Sequence, residues 1–491
     1  MVQSGINTTS TTKNRNGRQK RFNLTSPSML SFWTGCLCIL AGYLLLTGIE
    51  LQNYILRTVS IGTLALLALS LHLLTRNALR DPFHPDILLT VGHLAQFVIP
   101  SLIFGTGFFD DIMFAHTKQV SSFFPEMLLG VLIAQTIFNL PFCLMPRRSY
   151  DLRKTTEKGL PFFITALAVA VWLSRCALLA TGSYFHFGSR FVNTSTFYSP
   201  LAVISTLGRI VLAYVLIRMF VAKNLRRKIL PMMYLLLEIS WHLFSGKRQG
   251  LLIAILCIIL VYIFVRKKLP LFYSLLFLFV LFVGSVFLNY YRMALRAQAS
   301  HKEVSIINAS KKAFQTQEQL NVRNSLNIIL DRLNDGQFAA GCFKFVPDPI
   351  DYLHGESYKM ILWIPVPRVL YPSRPQFRVE YNTVIARPRI AGTSCPTTAL
   401  GEAYINFGWF GIPLVFFLLG LVYRCMESIF KSQPSSSEAA ILLFFCVMTV
   451  TMSVNPAVSH LSWMLKVLVL LFLCRIIESK FWHKKENVEN D

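Results

Sequence analysis

Two basic residues occupy a short turn between two apolar stretches of the chain, Ser245-Gly-Lys-Arg-Gln-Gly250. Arginine offers a planar fork of hydrogen-bond donors and lysine a compact positive charge, and both suit phosphate oxygens. Non-specific contact with lipid headgroups would use the same two side chains. We take Lys247 and Arg248 as candidates for binding an anionic lipid phosphate or diphosphate.

A second group of cations lies in and just after a proline-rich stretch, Val366-Pro-Arg-Val-Leu-Tyr-Pro-Ser-Arg-Pro375. Prolines restrict the backbone around them and disfavour a continued helix, so they would hold Arg368 and Arg374 in place. Solvated surface charge explains most other cations in this part of the chain. We therefore predict that Arg368, Arg374 and the nearby Arg378 bind the same kind of substrate.

A carboxylate, a phenol and an amide stand at alternate positions, Glu402, Tyr404 and Asn406, just before an apolar stretch. A carboxylate can act as a general base or accept hydrogen bonds from sugar hydroxyls. A carboxylate at the beginning of a helix is also stabilised by the helix dipole alone. We predict a catalytic role for Glu402, while Tyr404 and Asn406 position sugars or hold the preceding segment onto the helix.

Three ionisable residues lie inside apolar stretches: Arg209, Glu238 and His242. Because burying such a group in hydrocarbon is costly, a function is the default expectation. Glu238 and His242 are four residues apart and share a helical face, which leads toward the turn with Lys247. Pairing within the bundle, for stability alone, is the alternative. We include all three among the substrate-binding candidates. Weaker candidates of the same kind are Arg175, His93 and Lys466.

Membrane-spanning helices are the elements that would position these residues. The chain has 491 residues, of which 54% are hydrophobic and 15% charged, and its mean hydropathy is +0.50. A bilayer core about 30 Å thick is crossed by a helix of roughly 20 apolar residues. We predict an all-α polytopic membrane protein with about 12 transmembrane helices. They lie near residues 28–48, 54–74, 87–104, 124–145, 160–180, 200–221, 229–245, 250–265, 269–289, 409–430, 439–454 and 461–477.

The net charge of +24 fits a membrane protein better than a nucleic-acid-binding one. Lysine and arginine collect in short cytoplasmic loops, and the alternation of cation-rich and cation-poor loops holds along the whole chain. Both termini are therefore predicted to be cytoplasmic, as a basic tail over residues 1–27 and a second tail over residues 478–491. The short outer turn with Lys247 and Arg248 is the exception to this alternation, which suggests a use for its two cations.

One long segment, residues 290–408, interrupts the series of apolar stretches, and the charge alternation places it outside the cytoplasm. About nine predicted spans precede it, in residues 28–289, and about three follow, in residues 409–477. Its first part has a helical amphipathic pattern, so we predict a large, mostly helical loop that folds over the membrane surface. Cys342 and Cys395 lie within it and either pair or remain free thiols.

These motifs together resemble a known family, the bacterial oligosaccharide repeat-unit polymerases, also called O-antigen or Wzy-type polymerases. The turn at 245–250 is similar to their small-small-x-Arg turn, and the stretch at 366–375 to their Pro-Arg and basic-Pro segment. Leu400-Gly-Glu-Ala-Tyr-Ile-Asn-Phe-Gly-Trp-Phe-Gly411 looks like the Glu-aromatic-x-Asn-Phe-Gly beginning of a late span in these enzymes. The order of the motifs also fits, over roughly residues 230–430.

The resemblance implies a glycosyltransferase of the cytoplasmic (inner) membrane that joins glycans carried on undecaprenyl diphosphate into O-antigen, capsule or exopolysaccharide. Cations would stabilise the departing diphosphate, and a base would accept the proton of the acceptor hydroxyl. Glu402, Arg248 and Arg368 would be catalytic, and the other candidates would bind substrate. No cofactor, metal or nucleic acid is implied. The further partners are the lipid bilayer, a flippase and a chain-length regulator.

Three other functions stay open at this stage. An O-antigen ligase or another lipid-carrier-dependent glycosyltransferase would use the same kind of donor, although the chain lacks the His-led, glycine-spaced motif associated with the ligases. A transporter of lipid-linked sugars would suit twelve spans, but the two halves show no visible symmetry. A scaffold or sensor would bind glycan through the long loop without catalysis.

Overall fold

The computed structural model describes twelve stretches of the chain and a few single residues between positions 287 and 315. The stretches are 27–48, 53–76, 84–105, 115–145, 162–180, 198–222, 224–244, 248–266, 334–363, 397–430, 436–453 and 455–490. All statements about the structure concern these residues.

The secondary structure of the described stretches is helical, without strands. The first eight α-helices are α1 (Pro27–Gly48), α2 (Tyr54–Thr75), α3 (Pro85–His93), α4 (Ile99–Gly105), α5 (Ala115–Val120), α6 (Phe124–Leu144), α7 (Phe162–Ala180) and α8 (Tyr198–Thr206). The remaining ones are α9 (Gly208–Val221), α10 (Arg226–Phe244), α11 (Arg248–Arg266), α12 (Gly336–Phe345), α13 (Glu356–Lys359), α14 (Thr398–Ile429), α15 (Ser436–Met448) and α16 (Ala457–Asn490).

Eight helical segments in the described stretches are long and apolar enough to cross a membrane. They are Met29–Gly48, Tyr54–Thr75, Pro85–Phe104, Lys118–Leu144, Phe162–Ala180, Leu201–Val221, Thr398–Ile429 and Ala457–Ser479. Two shorter apolar helices cover Ile253–Ile263 and Ser437–Ser453. Helices satisfy their own backbone hydrogen bonds, which lipid cannot do. The predicted class, an all-α membrane protein, is confirmed in this form.

The count of twelve spans stays a prediction. The expected span near 229–245 corresponds to α10, which is long enough to cross but begins with three basic residues, Arg226, Arg227 and Lys228. The expected span near 269–289 lies outside the described stretches, apart from Phe287.

The centre of the bundle is the pair α6 and α14, which pack along each other. At Gly420, a side chain would meet the carbonyl oxygen of Phe138, so the two backbones approach as closely as a glycine permits. Near the other end of the pair, a side chain at Gly130 would lie 3.1 Å from Phe343 and 3.3 Å from Leu400, which is tight. Small residues at helix crossings allow this kind of close packing within a membrane.

Helix α14 is broken at Phe407 and Gly408. Gly408 has φ +60° and ψ −148°, and Phe407 has φ −142° and ψ 17°. The Gly408 conformation is open almost only to glycine, so the residue permits the chain to change direction. The helix thus begins at Thr398, earlier than the apolar pattern predicts, and the predicted boundary between 408 and 409 coincides with the break. Polar and small residues before the break hid this helical turn from a hydropathy reading.

Residues 334–363, which belong to the predicted long loop, pack onto the helix bundle. Helix α12 lies against α6 and α14, and the Lys344 ammonium group donates to the Gln119 carbonyl at 2.7 Å. The Val346–Pro347 and Asp348–Pro349 peptide bonds that follow are cis. A short helix, α13, then leads into a 3-10 turn, Met360–Trp363. This segment covers the end of the bundle where α6 and α14 begin, which we call the Glu402 end.

Candidate functional site

Glu402 lies in the first part of α14 and is 2% exposed. Its Oε2 atom accepts a hydrogen bond of 3.1 Å from the backbone N–H of Val458, at the beginning of α16. The Ala457 amide and the Ser357 hydroxyl also lie near the carboxylate. Free N–H groups at a helix beginning stabilise an anion. The α16 terminus therefore holds one side of the Glu402 carboxylate in place.

The other carboxylate oxygen of Glu402 is different. Oε1 is buried and has no hydrogen-bond partner, and within the described stretches no Lys, Arg or His forms an ion pair with Glu402. A buried polar atom without a partner costs free energy. Such an atom calls for an explanation, and a bound ligand, ion or water molecule is one.

Asn406 fastens the segment around Ser357 to α14. Its Nδ2 donates to Ser357 Oγ at 2.9 Å and to the Glu402 carbonyl at 2.8 Å. Its Oδ1 accepts from the Gly355 N–H at 3.0 Å, and its own carbonyl accepts from the His354 N–H at 3.1 Å. Both amide hydrogens of Asn406 are thus used within the protein, which favours the second of its two predicted roles, holding the segment onto the helix.

Tyr404 is part of an aromatic cluster. Its ring stacks on Phe343 with centroids 4.0 Å apart, and it makes edge contacts with Tyr352 and Trp409. Tyr404 is 6% exposed. The ring therefore joins α12 to α14 at the Glu402 end.

Most of the predicted phosphate-binding cations lie outside the described stretches. This holds for Lys247, Arg368, Arg374 and Arg378. Arg248 is the first residue of α11, and its side chain is not described. Gly250, in the first turn of α11, is described, and a side chain at this position would meet the imidazole of His242. The beginning of α11 therefore packs directly against the helical face that carries His242.

Glu238 and His242 meet on one face of α10, with His242 Nε2 3.3 Å from Glu238 Oε1. Glu238 itself is paired with Arg175 of α7, whose two terminal nitrogens each lie 2.7 Å from a carboxylate oxygen. The Arg175 guanidinium also lies 4.9 Å from the ring centroids of both Trp172 and Trp241. Arg175, a weak candidate by sequence, is thus the partner that occupies Glu238.

Arg209, in the first turn of α9, lies near Cys257 of α11 and Met448 of α15 rather than in this ion pair. Within the described stretches its guanidinium makes one long hydrogen bond, 4.0 Å from Nη1 to the Met448 sulfur, and its buried Nε has no hydrogen-bond partner. Glu238 and Arg175 are near enough for electrostatic interaction. Among the described residues, no hydrogen bond or ion pair joins Arg209 or Glu238 to Glu402. The candidates therefore form two groups, one around Glu402 and one around Glu238.

Residues 164–433 match the family described as Domain of unknown function (DUF8712), which is more than half of the 491 residues. The chain belongs to this family. No curated protein and no solved structure matches it. The DUF8712 region includes both groups of candidates, from Arg175 to Asn406, and ends before Val458. The helix terminus that holds Glu402 thus lies outside the DUF8712 region, although it contacts the site.

Two residues at the Glu402 end were missed by sequence reasoning, Ser357 and Tyr358, both inside the DUF8712 region. Tyr358 stacks on Phe407 with ring centroids 6.1 Å apart and an interplanar angle of 11°. Burial, reinforced by the negative charge of Glu402, raises the pKa of Tyr358 well above its usual range. Both residue types are common in any loop, and only contacts across more than forty positions of sequence reveal them.

A cluster of charged residues was also missed, at the end of the bundle where α2, α6 and α14 finish. Most of its residues precede the DUF8712 region, and Arg424 and Glu427 lie inside it. Asp86, in the first turn of α3, is fully buried. It lies 3.0 Å from Arg76 Nε and 3.5 Å from His72 Nε2, and it is in contact with His84. Its Oδ1 also accepts from the Ile87 N–H at 2.7 Å. We call this the Asp86 end.

The partners of Asp86 are themselves bonded to other helices. The His72 Nδ1 atom lies 2.5 Å from Ser31 Oγ of α1 and 3.3 Å from Asn139 Nδ2 of α6. The His84 imidazole lies 4.0 Å from Glu427 of α14, which pairs with Arg424. Residues of α1, α2, α3, α6 and α14 are therefore linked through a single buried carboxylate.

Proposed function

We propose that the protein is a polymerase that joins undecaprenyl-diphosphate-linked oligosaccharide repeat units into a surface polysaccharide, which would be O-antigen, capsule or exopolysaccharide. The observation that carries the proposal is the buried Oε1 atom of Glu402, which has no hydrogen-bond partner and lies beneath a segment that Asn406 fastens to α14. A carboxylate held through one oxygen, with the other oxygen left without a hydrogen bond, suits a group that accepts a proton from a bound hydroxyl.

The proposed topology has twelve spans, both termini in the cytoplasm, and residues 290–408 outside it. Two features support this arrangement. Residues 334–363 cover the same end of the bundle at which α6 and α14 begin, and the next segment after α6 carries Arg147, Arg148 and further cations. The reaction would then take place at the outer face of the cytoplasmic membrane, at the Glu402 end.

The proposed step is a glycosyl transfer between two lipid-linked oligosaccharides. The bond between the anomeric carbon of the donor sugar and the diphosphate oxygen breaks, and the diphosphate leaves with the bonding electron pair. A bond forms from the acceptor hydroxyl oxygen to that carbon, and the hydroxyl proton passes to Glu402. Lys247, Arg248, Arg368 and Arg374 would stabilise the leaving diphosphate, as preorganised cations do in other transfer reactions.

The remaining candidates have supporting roles in this proposal. Arg378 and Tyr404 would bind sugar, and Asn406 holds the covering segment. Glu238, His242 and Arg209 would lie beside the diphosphate below the turn with Lys247, where the contact between Gly250 and His242 brings α10 and α11 together. A flippase would supply the substrate and a chain-length regulator would end the polymer. No metal or cofactor enters the proposed step.

The test is a reconstituted assay in vesicles with a defined lipid-linked repeat unit. We expect the wild-type chain to form polymer, and Glu402→Gln to lower the rate about 10²–10⁴-fold. Arg248→Ala and Arg368→Ala should each lower it about 10²–10³-fold. Glu356→Gln is the matched control, because Glu356 is an exposed carboxylate on the covering segment. Full-length polymer from all three site variants would refute the assignment.

A transporter of lipid-linked sugars is the second candidate, favoured by helices that are interrupted inside the bundle. One interruption is the break at Gly408, and the other is the π-helical turn Leu94–Val98 after α3. Interrupted helices are frequent at the substrate sites of transporters, and π-helical turns at functional sites. The same vesicles distinguish the candidates, since a transporter would move the lipid-linked sugar across the membrane and form no polymer. A ligase would transfer it once to a lipid A core acceptor.

A further inference from the structure

Helix α10 lies along two candidate spans with one of its faces. The Tyr234 hydroxyl donates to the Gly208 carbonyl of α9 at 3.4 Å, and Glu238 is bound by Arg175 of α7. Both neighbours belong to helical segments that are apolar and long enough to cross a membrane. The 19 residues of α10 extend about 28 Å, close to the thickness of a bilayer core. The helix therefore has the length and the neighbours of a membrane span.

The opposite face of α10 is exposed and apolar. Its residues recur at intervals of three or four positions, which places them on one side of a helix. Large apolar side chains form this face, and each is between 49% and 75% exposed. They are Leu225, directly before the helix, and Ile229, Leu230, Met232, Met233, Leu236 and Leu237. We call them the α10 stripe. In a membrane protein such a face is solvated by acyl chains, which are as apolar as leucine.

Three basic residues stand at the beginning of the α10 stripe, Arg226, Arg227 and Lys228. The two arginines are exposed, and Arg226 lies on the side of the stripe because it precedes the next two stripe residues by three and four positions. Within the described stretches none of the three forms an ion pair with a carboxylate. Glu238 is the only acidic residue from position 158 to position 302 of the sequence. It lies about 18 Å further along the helix and has its own partner in α7.

Arginines near the ends of other helices have a carboxylate partner within the protein. The Arg76 side chain lies 3.0 Å from Asp86, and that of Arg475 lies 2.6 Å from Glu438. The chain neutralises these cations itself. The cations at the beginning of α10 are left to an anion that does not come from the neighbouring sequence.

The stripe and the cations together define the partner. Acyl chains along the stripe bring lipid headgroups to the level of Arg226 and Arg227, where a phosphate can accept two hydrogen bonds from a guanidinium group. A zwitterionic headgroup would also carry an ammonium group there, for which the neighbouring sequence offers no carboxylate. A second copy of the chain would have the same orientation in the membrane, so its cations would be set against these cations.

We propose that the beginning of α10 binds an anionic phospholipid, whose phosphate contacts Arg226, Arg227 and Lys228 and whose acyl chains lie along the α10 stripe. This site is separate from the proposed diphosphate site, because Lys247 follows the other end of α10. The lipid site does not depend on the polymerase function, and it would serve a transporter equally well.

Native mass spectrometry of the full-length protein in detergent measures the binding of two lipids with the same dioleoyl chains, phosphatidylglycerol and phosphatidylcholine. Each cation at a membrane surface is expected to favour the anionic lipid about fivefold. The wild-type protein should therefore bind phosphatidylglycerol at least about tenfold more tightly than phosphatidylcholine. Arg226→Gln combined with Arg227→Gln should weaken phosphatidylglycerol binding about 25-fold and leave phosphatidylcholine binding unchanged. The matched control is Lys118→Gln combined with Lys359→Gln, which removes two exposed cations from α5 and α13.

Equal affinity of the wild-type protein for the two lipids would overturn the proposal. An equal loss of phosphatidylglycerol binding in the control variant would do so as well, because net charge rather than the α10 site would then decide. Glycerol 3-phosphate carries a phosphate without acyl chains, and if it displaces phosphatidylglycerol at an equal concentration, the stripe takes no part in binding. A dimer that persists when phosphatidylglycerol is added would mean that a second copy covers the stripe.

Thermal unfolding gives a second, independent measurement. A lipid that binds the folded protein raises its unfolding temperature. We expect phosphatidylglycerol to raise that of the wild-type protein and of the control variant, and to raise that of the variant with Arg226→Gln and Arg227→Gln less. The same scans show that each variant is folded. An equal increase in all three proteins would contradict the proposed site.

Discussion

Asp86 and Glu402 are both buried carboxylates, and they lie at opposite ends of α14. Asp86 is surrounded by Arg76, His72 and His84, and its Oδ1 accepts a backbone hydrogen bond as well. Glu402 has one backbone hydrogen bond, no basic partner in the described stretches, and an Oε1 atom without any partner. The first carboxylate is enclosed by complementary groups, and the second is supported on one side.

The difference separates two reasons for burying a charge. A buried carboxylate that has basic partners links helices through them, and removing one partner is costly because the other is left unpaired. A buried carboxylate without a basic partner gives up stability and is a candidate for binding or catalysis. We infer that the Asp86 end fixes the arrangement of α1, α2, α3, α6 and α14. The Glu402 end then carries the groups that bind and react with the substrate.

The largest effect on stability should come from Asp86→Asn. This change leaves the buried Arg76 guanidinium without its counter-charge, and breaking one side of a buried pair typically destabilises a protein by about 3–5 kcal/mol. Thermal unfolding and yield of monodisperse protein in detergent measure it. The double variant Asp86→Asn with Arg76→Gln should recover part of the loss, since neither charge is then left alone. Wild-type stability in the single variant would contradict the assigned role.

Arg175→Lys tests whether the ion pair of Glu238 has a structural role, like the ion pairs of Asp86. Lysine keeps the charge but loses the planar fork that contacts both Glu238 oxygens and lies between Trp172 and Trp241. Loss of one charged hydrogen bond predicts destabilisation by about 1.5–3 kcal/mol. The matched control is Arg209→Lys, because Arg209 forms no short hydrogen bond in the described part of the chain.

If Arg209→Lys destabilises the protein as much as Arg175→Lys does, the ion pair with Glu238 is not what distinguishes the two arginines. If Arg209→Lys instead leaves stability unchanged and slows polymer formation, Arg209 behaves like Glu402, as a charge kept for substrate. Unfolding and activity of the two variants, measured side by side, decide between these outcomes.

Gly408→Ala acts on the Glu402 end alone. An alanine at φ +60° and ψ −148° is strained, and its side chain would lie 3.0 Å from the Tyr352 hydroxyl. Strain of this kind costs about 1–3 kcal/mol. We expect a modest loss of stability with a larger loss of activity, because the break orients the part of α14 that carries Glu402. Gly48→Ala is the control, because a side chain at this position meets nothing within 4 Å. If Gly408→Ala and Gly48→Ala have the same stability and activity, the break at Gly408 does not orient Glu402.

The sequence predicted local features of these sites and missed those formed by distant contacts. The four-residue spacing of Glu238 and His242 predicted their shared face, and the contact between them confirms it. The motif before residue 409 singled out Glu402 and Asn406, which α14 does bring together. These predictions depend on helical geometry, which acts over a few residues and can be read from spacing alone.

The partners across the fold could not be read in this way. Arg175 is 63 positions from Glu238, and Ser357 is 49 positions from Asn406. The charges around Asp86 stand at the ends of apolar stretches, where a cytoplasmic loop explains them equally well. Pairing depends on which helices pack together, and helices of similar hydropathy carry little information on that choice.

The smallest expected effect on stability is that of Glu402→Gln, which gives the most direct contrast with Asp86. Glutamine keeps an oxygen that can accept from the Val458 N–H, and it removes a buried negative charge that has no basic partner in the described stretches. We expect stability within about 1 kcal/mol of the wild-type value, or higher, because replacing an unsatisfied charge relieves its desolvation. Activity should nevertheless be lost.

The measurement is urea or thermal unfolding of Glu402→Gln beside Asp86→Asn. If Glu402→Gln is destabilised as strongly as Asp86→Asn, the Glu402 carboxylate has a structural role like that of Asp86. Its Oε1 atom then gives no support for a role in proton transfer.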